Sequence, residues 1–184
     1  MAEAVPVKLE QTAQGWQLLR GGEPIFIRGA GGSGASLERL AAPGANSVRT
    51  WGADHIDELL DQAQALGLTV TVGIWLGHER HGFDYSDPVQ VAKQLDYARD
   101  IVLRYKDHPA VLLWGIGNEM DGFAEGANPA NGTAVNDVAA MVTEVDPNPP
   151  TRTVTAFVHG GRIESLHRMS PAIDIHGVNA YGGA

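Results

Sequence analysis

The sequence contains no cysteine, which excludes disulfides, thiolate metal sites and a cysteine nucleophile. It has no apolar run near the roughly 20 residues that a membrane-spanning helix needs. Its start, Met1 to Pro6, lacks a basic segment followed by an apolar core, so no signal peptide is read there. Positive charge is also scarce: 13 Lys and Arg stand against 22 Asp and Glu, for a net charge of −9. An acidic surface repels phosphate and anionic headgroups, which argues against nucleic acid and membrane as partners. What the chain does have is 43% hydrophobic and 19% charged residues over 184 positions, enough to bury a sizeable core. Its 23 Gly and 10 Pro divide that core into many short elements.

Two strand-like runs, 7–10 and 16–20, read as an N-terminal hairpin within about residues 5–22, and the Gly21-Gly22 step turns the chain into a third run, 24–28. Further strand-like runs follow at 46–51, 68–75, 110–116, 152–157 and 173–178. Helical patterns lie between them. A short helix is read over about 35–42, and Ile56, Leu59, Leu60, Ala63 and Leu66 make one buried stripe behind Asp54 as a candidate N-cap. Asp87-Pro88 opens the next helix, with Val91, Leu95, Ala98, Val102 and Tyr105 on one face. Val135, Val138, Ala139, Val142 and Val145 form the next stripe, which Pro147, Pro149 and Pro150 stop, and a loop rich in Gly and Asn is read over 121–132.

Strands that are apolar on both faces and alternate with helices imply a parallel sheet covered by helices. Two architectures compete, an open doubly wound sheet and a (β/α)8 barrel. A whole barrel typically takes about 250 residues. On the barrel reading the chain is an α/β, TIM-barrel-type domain of about six βα units, a single unit over 1–184, two units short of closure. Two exposed sheet edges would then be an association hazard, so the chain is expected either to self-associate or to be completed by a further C-terminal segment.

In parallel α/β folds, ligands sit beyond the carboxyl ends of the strands. The run Gly29-Ala30-Gly31-Gly32-Ser33-Gly34 has the spacing of a dinucleotide phosphate loop. The following helix is short, however, and about 20 residues on, where an acidic ribose reader is expected, stands Arg49-Thr50-Trp51. A flexible loop is the better reading, and no cofactor is expected. The remaining strand ends gather aromatic and planar polar groups: Arg49 and Trp51, Trp75 and His78, Asn118 and Glu119, Phe157 and His159, Asn179 and Tyr181. Each alone could be a packing residue, and Arg49 could pair with a neighbouring carboxylate. Together they suit a sugar, whose C–H faces stack on rings and whose hydroxyls need both donors and acceptors. Glu119 closes an otherwise apolar strand, where partial desolvation would raise its pKa toward general-acid use. A metal-dependent hydrolase built on His78, Glu79, His81, His159 and His176 is a lesser alternative, because His78 and His81 are three apart in a loop instead of four apart on a helix. No metal is expected.

The run Trp114-Gly115-Ile116-Gly117-Asn118-Glu119 resembles the fourth-strand Asn-Glu motif of the clan A glycoside hydrolases, most closely the (β/α)8 catalytic domains of family 2 and family 5 type. Residues 22–29 resemble the entry to the first barrel strand of those enzymes, 46–49 the second, 65–72 the third and 108–115 the fourth. The resemblance implies a retaining hydrolase of β-linked oligo- or polysaccharides, with a transglycosidase as a lesser alternative. It implies that Glu119 is the general acid/base, that Asn118 donates to the sugar 2-hydroxyl and that Arg49 keeps the nucleophile ionised. Tyr181 would hydrogen-bond the nucleophile beneath the reacting ring. Trp51, Trp75, His78 and His159 are assigned as walls of the sugar site from strand-end position only. The family's nucleophile is a Glu on a seventh strand, and no carboxylate here matches it: Glu79, Glu125 and Asp174 have no motif behind them. The nucleophile is therefore left unassigned, and a catalytically inert sugar-binding barrel is the alternative from outside the enzymes. By analogy with polysaccharide-degrading relatives, a secreted or periplasmic location is expected.

Overall fold

The computed structural model describes residues 3–32, 36–120, 128–146, 154–159 and 163–179. The chain opens with an antiparallel sheet of β1 (Val7–Thr12), β2 (Gly15–Arg20) and β3 (Glu23–Pro24). The β1–β2 turn closes on Gly15, whose φ of 120° favours glycine, and the Thr12 hydroxyl donates to the Gly15 carbonyl at 2.9 Å. This sheet packs Val7 against Leu112 and Leu113, and Arg20 Nη2 donates to the Pro109 carbonyl at 3.0 Å.

Six parallel strands follow: β4 (Gly29–Gly31), β5 (Ser47–Arg49), β6 (Thr69–Ile74), β7 (Val111–Asn118), β8 (Val154–His159) and β9 (Ile175–Asn179). They are hydrogen-bonded in strict chain order. That order decides between the two candidate architectures. A doubly wound sheet reverses direction at a switch point, whereas a barrel adds each strand beside the last. The helices between them are α1 (Leu37–Ala41), α2 (Asp57–Ala65), α3 (Pro88–Tyr105), α4 (Pro129–Val145) and α5 (Ile163–Met169). One apolar core runs through β5, β6 and β7 and under α2, α3 and α4. The chain has an α/β, TIM-barrel-type fold, of which six strands and five helices lie among the described residues. None of those helices is long and apolar enough to cross a membrane.

Four local expectations are corrected. The strand expected over 24–28 is only the two residues of β3, and the first barrel strand is the glycine run Gly29–Gly31 itself. Asn46 bears on the difference: its side chain accepts from the Arg28 N–H at 2.8 Å and donates to the Phe26 carbonyl at 2.9 Å, so side-chain bonds stand where ladder bonds were expected, while its backbone N–H donates to the Arg28 carbonyl at 2.8 Å. Asp54 does not cap α2. That helix begins behind Ile56 without a side-chain cap, after a left-handed turn at His55 (φ 54°), and Asp54 instead accepts from the Tyr97 hydroxyl at 3.1 Å. The loop expected over 121–132 ends early, because α4 starts at Pro129 with Asn128 Oδ1 accepting from the Ala130 N–H at 3.0 Å. Gly132 therefore lies inside a helix, where any side chain would strike Met169 of α5. The last strand begins two residues later than expected, at Ile175, while residues 152 and 153 of the strand expected over 152–157 lie outside the described residues. Helix α3 opens at Asp87-Pro88 as read, and Asp87 caps it, accepting from the Val89 N–H at 2.8 Å with Pro88 in the first turn. Residues 121–127 and the prolines 147, 149 and 150 lie outside the described residues.

Candidate active site

The ends of β5, β7 and β9 converge on one half-buried cluster. Strand β7 is apolar and buried up to Gly117, and its pairing with β8 slips by one residue between Ile116 and Asn118. A bulge of this kind re-aims the side chains that follow it. Gly117 (φ 63°) turns left-handed, and a side chain there would collide with Met120. Glu119 is also left-handed at φ 52°, a conformation that a non-glycine residue holds only when its surroundings impose it. Those surroundings are visible. Asn131 Nδ2 donates to the Met120 carbonyl at 2.8 Å, pinning the backbone just beyond, and Asn179 Nδ2 donates to Glu119 Oε1 at 3.0 Å.

Glu119 is 7% exposed, and a carboxylate so placed is tolerable only with hydrogen-bond partners. Its neighbour Asn118 accepts at Oδ1 from Arg49 Nη2 at 2.8 Å and from Asn179 Nδ2 at 3.1 Å. A guanidinium can only donate, so the oxygen of Asn118 must face Arg49. Its NH2 group is thereby turned away as a donor. Arg49 also lies over the Trp51 ring at 5.6 Å. The next loop brings His78, which is buried, to 5.1 Å from the Trp75 ring and 5.6 Å from the His81 ring. Burial lowers the His78 pKa below its ordinary value of 6.5, with the cations of Arg80 and His81 adding to the effect and Glu119 opposing it. The His78 loop is tied down on both sides of Gly77, whose N–H donates to Gln94 Oε1 at 2.7 Å and whose carbonyl accepts from the Tyr85 hydroxyl at 2.6 Å. Asn128 Nδ2 donates to Glu79 Oε1 at 2.6 Å and so links this loop to the start of α4.

Of the residues singled out in the sequence, Arg49, Asn118 and Glu119 form one hydrogen-bonded cluster with Asn179, and Trp51, Trp75 and His78 stand beside it. The Arg49 guanidinium donates to the Asn118 amide oxygen. His159 is the last residue of β8, paired in register with Asn179. Tyr181 and Glu125 lie outside the described residues. Asn179, a strand-end amide to which the sequence gives no role in the site, bonds both residues of the Asn-Glu pair. Two glycines of the dinucleotide-like run have a packing explanation: a side chain at Gly29 would strike the Ser47 carbonyl of β5, and one at Gly31 would crowd the Trp51 ring. His176 sits against His167 of α5, with ring centroids 5.8 Å apart, and does not converge with His78 and His81. Among the described residues no group of three or more His, Asp or Glu is placed to hold a metal ion.

Residues 37–179 match the family model of glycosyl hydrolases family 2, TIM barrel domain. The chain is 26% identical to a probable mannan endo-1,4-beta-mannosidase C of Aspergillus terreus, over 71% of this chain and 38% of that one. It is 31% identical to the beta-glucuronidase of Rattus norvegicus, over 75% of this chain and 20% of that one. Among solved structures, a beta-glucuronidase from Ruminococcus gnavus in complex with D-glucaro-d-lactam superposes with a TM-score of 0.74 at 20% identity, covering 96% of this chain and 31% of that chain. The chain thus spans well under half the length of these relatives.

Proposed function

Because the chain belongs to the glycosyl hydrolase family 2 TIM barrel domain family, we propose that it carries the acid/base half of a retaining β-glycosidase site, with Glu119 as the proton donor and acceptor. The observation that carries this reading is the buried Glu119 carboxyl, held at the end of β7 by Asn179 and flanked by Asn118 and Arg49.

In the first step Glu119 gives its proton to the glycosidic oxygen as the bond to the anomeric carbon breaks, and a second carboxylate attacks that carbon to form a glycosyl-enzyme. In the second step Glu119, now ionised, removes a proton from water as water displaces that carboxylate. The attacking carboxylate has to stand roughly 5–5.5 Å from Glu119, and it is not among the residues assigned to the site. The NH2 group of Asn118, turned away from Arg49, supplies a donor to the sugar 2-hydroxyl. Names of the relatives, a beta-glucuronidase and a mannan endo-1,4-beta-mannosidase, support a β-linked substrate, and the net charge of −9 favours a neutral sugar over a polyanion.

Hydrolysis of aryl β-glycosides by the chain and by Glu119→Gln tests the reading. A fall of about a hundredfold or more is expected, the usual contribution of a general acid/base, and NMR of the first-formed anomer should show retained configuration. Equal rates for the two proteins would remove Glu119 from the chemistry. The unassigned nucleophile favours one second reading, an inert sugar-binding barrel, which predicts oligosaccharide binding with no turnover by either protein.

A further inference from the structure

Apart from the Glu119 cluster, a cavity of about 580 Å³ opens between the ends of β5 and β6 and the first half of α3. Three aromatic side chains line it, Trp75, Phe83 and Tyr97, together with Asp54, Gln90 and Lys93. Trp75 and Tyr97 are 39% and 37% exposed, so two large flat faces are left open in one concavity.

The walls are set before any ligand arrives. The Tyr97 hydroxyl donates to Asp54 Oδ1 at 3.1 Å, which fixes both side chains. Phe83 stacks on Tyr85 at 4.6 Å, and Tyr85 is itself bonded to the Gly77 carbonyl. The floor at Gly52 is open because that residue has no side chain, and its φ lies outside the left-handed region. Fixed walls lower the ordering cost of binding.

The chemistry of the lining narrows the ligand. A cation would meet Lys93, an anion would meet Asp54, and a wholly apolar molecule would take water from a carboxylate and an ammonium without replacing it. A neutral ring with apolar C–H faces and a rim of hydroxyls fits all six side chains, since the rings take the faces and the polar groups take the rim. The cavity also adjoins the acid/base site through one shared wall. Trp75 lines the cavity and also contacts His78 at 5.1 Å, and the His78 ring lies within electrostatic reach of Glu119.

The geometry points to an accessory site in this cavity for a neutral sugar unit of the chain whose bond is cleaved at Glu119, an assignment that rests on the glycosidase reading. The protein then holds oligosaccharides by two separated points, Glu119 with its neighbours and the Trp75–Tyr97 cavity.

Isothermal titration calorimetry with mannotetraose and cellotetraose tests this in the Glu119→Gln background, so that turnover plays no part. Tyr97→Ala removes one aromatic face, and Gly52→Leu fills the floor from a position whose backbone accepts a side chain. Melting temperature reports folding for both. For at least one tetraose, each variant is expected to bind about tenfold more weakly or worse, the scale of losing one aromatic contact of this kind. Unchanged affinity in folded variants overturns the accessory site and leaves the role of Glu119 standing. Failure of the parent protein to bind either tetraose also overturns it. If Glu119→Gln leaves hydrolysis intact, the acid/base reading fails, while the titrations still decide whether sugar occupies the cavity.

Discussion

The two middle strands, β6 and β7, and the two outer strands, β4 and β9, run parallel in one sheet but are built from different residues. All six residues of β6 and the first seven of β7 are buried, whereas all three residues of β4 are exposed and β9 is half-buried with Val178 exposed. The candidate site draws on both kinds. Apolar burial on two faces fixes where β7 ends, and therefore where Glu119 stands. An amide from the outer strand, Asn179, bonds the carboxyl and so takes part in its orientation. Packing sets position here and directional polar contacts set aim.

The largest effect is expected at the centre of the sheet. Trp114 is fully buried in β7, and its indole N–H donates to Asp146 Oδ2 at 3.1 Å, just beyond α4. Trp114→Ala removes the side chain, leaves a cavity and takes one hydrogen-bond donor from a buried carboxylate, for a loss of about 3–5 kcal/mol. Urea denaturation measures it. A loss under about 1 kcal/mol would mean that the middle strands are not the mechanical centre of the sheet.

An intermediate effect should follow pH. Burial lowers the pKa of His78, beyond β6, and of His176, in β9, with His167 adding to the shift at His176 and Glu119 opposing it at His78. Both rings titrate near 6.5 when unfolded, so below that pH the unfolded chain binds more protons than the folded one. Their contribution to stability is present above about pH 6.5 and is lost as pH falls toward their folded values. Melting temperature should therefore drop between pH 7.5 and 5.5, and His78→Gln and His176→Gln should each flatten the drop. If His78→Gln alone flattens it, the sensitivity belongs to the site and not to the outer strand.

The middle of the sheet was also the more legible part. The apolar runs over 68–75 and 110–116 needed only composition and length to be read as buried strands, and Glu119 stood out because it ends such a run. The outer parts depend on contacts that spacing does not carry. Asn46 bonds Phe26 and Arg28 through its side chain, where ladder bonds were expected. Gly29 and Gly132 read as loop residues by type, yet they are where neighbours approach too closely for a side chain. Asn128-Pro129 opens α4 as Asp87-Pro88 opens α3, and the Gly and Asn around it hid the same signal. The left-handed φ of Glu119 and its bond to Asn179, 60 residues away, arise only once β7 and β9 flank β8.

The smallest effect is expected at the outer strand, and it sharpens the contrast with Trp114. Val178 is 47% exposed in the middle of β9. Val178→Thr keeps the branched shape that suits a strand and trades a methyl for a hydroxyl that water can satisfy. The change should stay within about 0.5 kcal/mol, the usual range for a surface position. Urea denaturation again measures it, with the slope of the transition watched as well as its midpoint. A loss several times larger would mean that Val178 is buried in the protein in solution and that the outer strand is covered there. The division between a packed centre and an open edge would then give way to a sheet buried on both sides throughout.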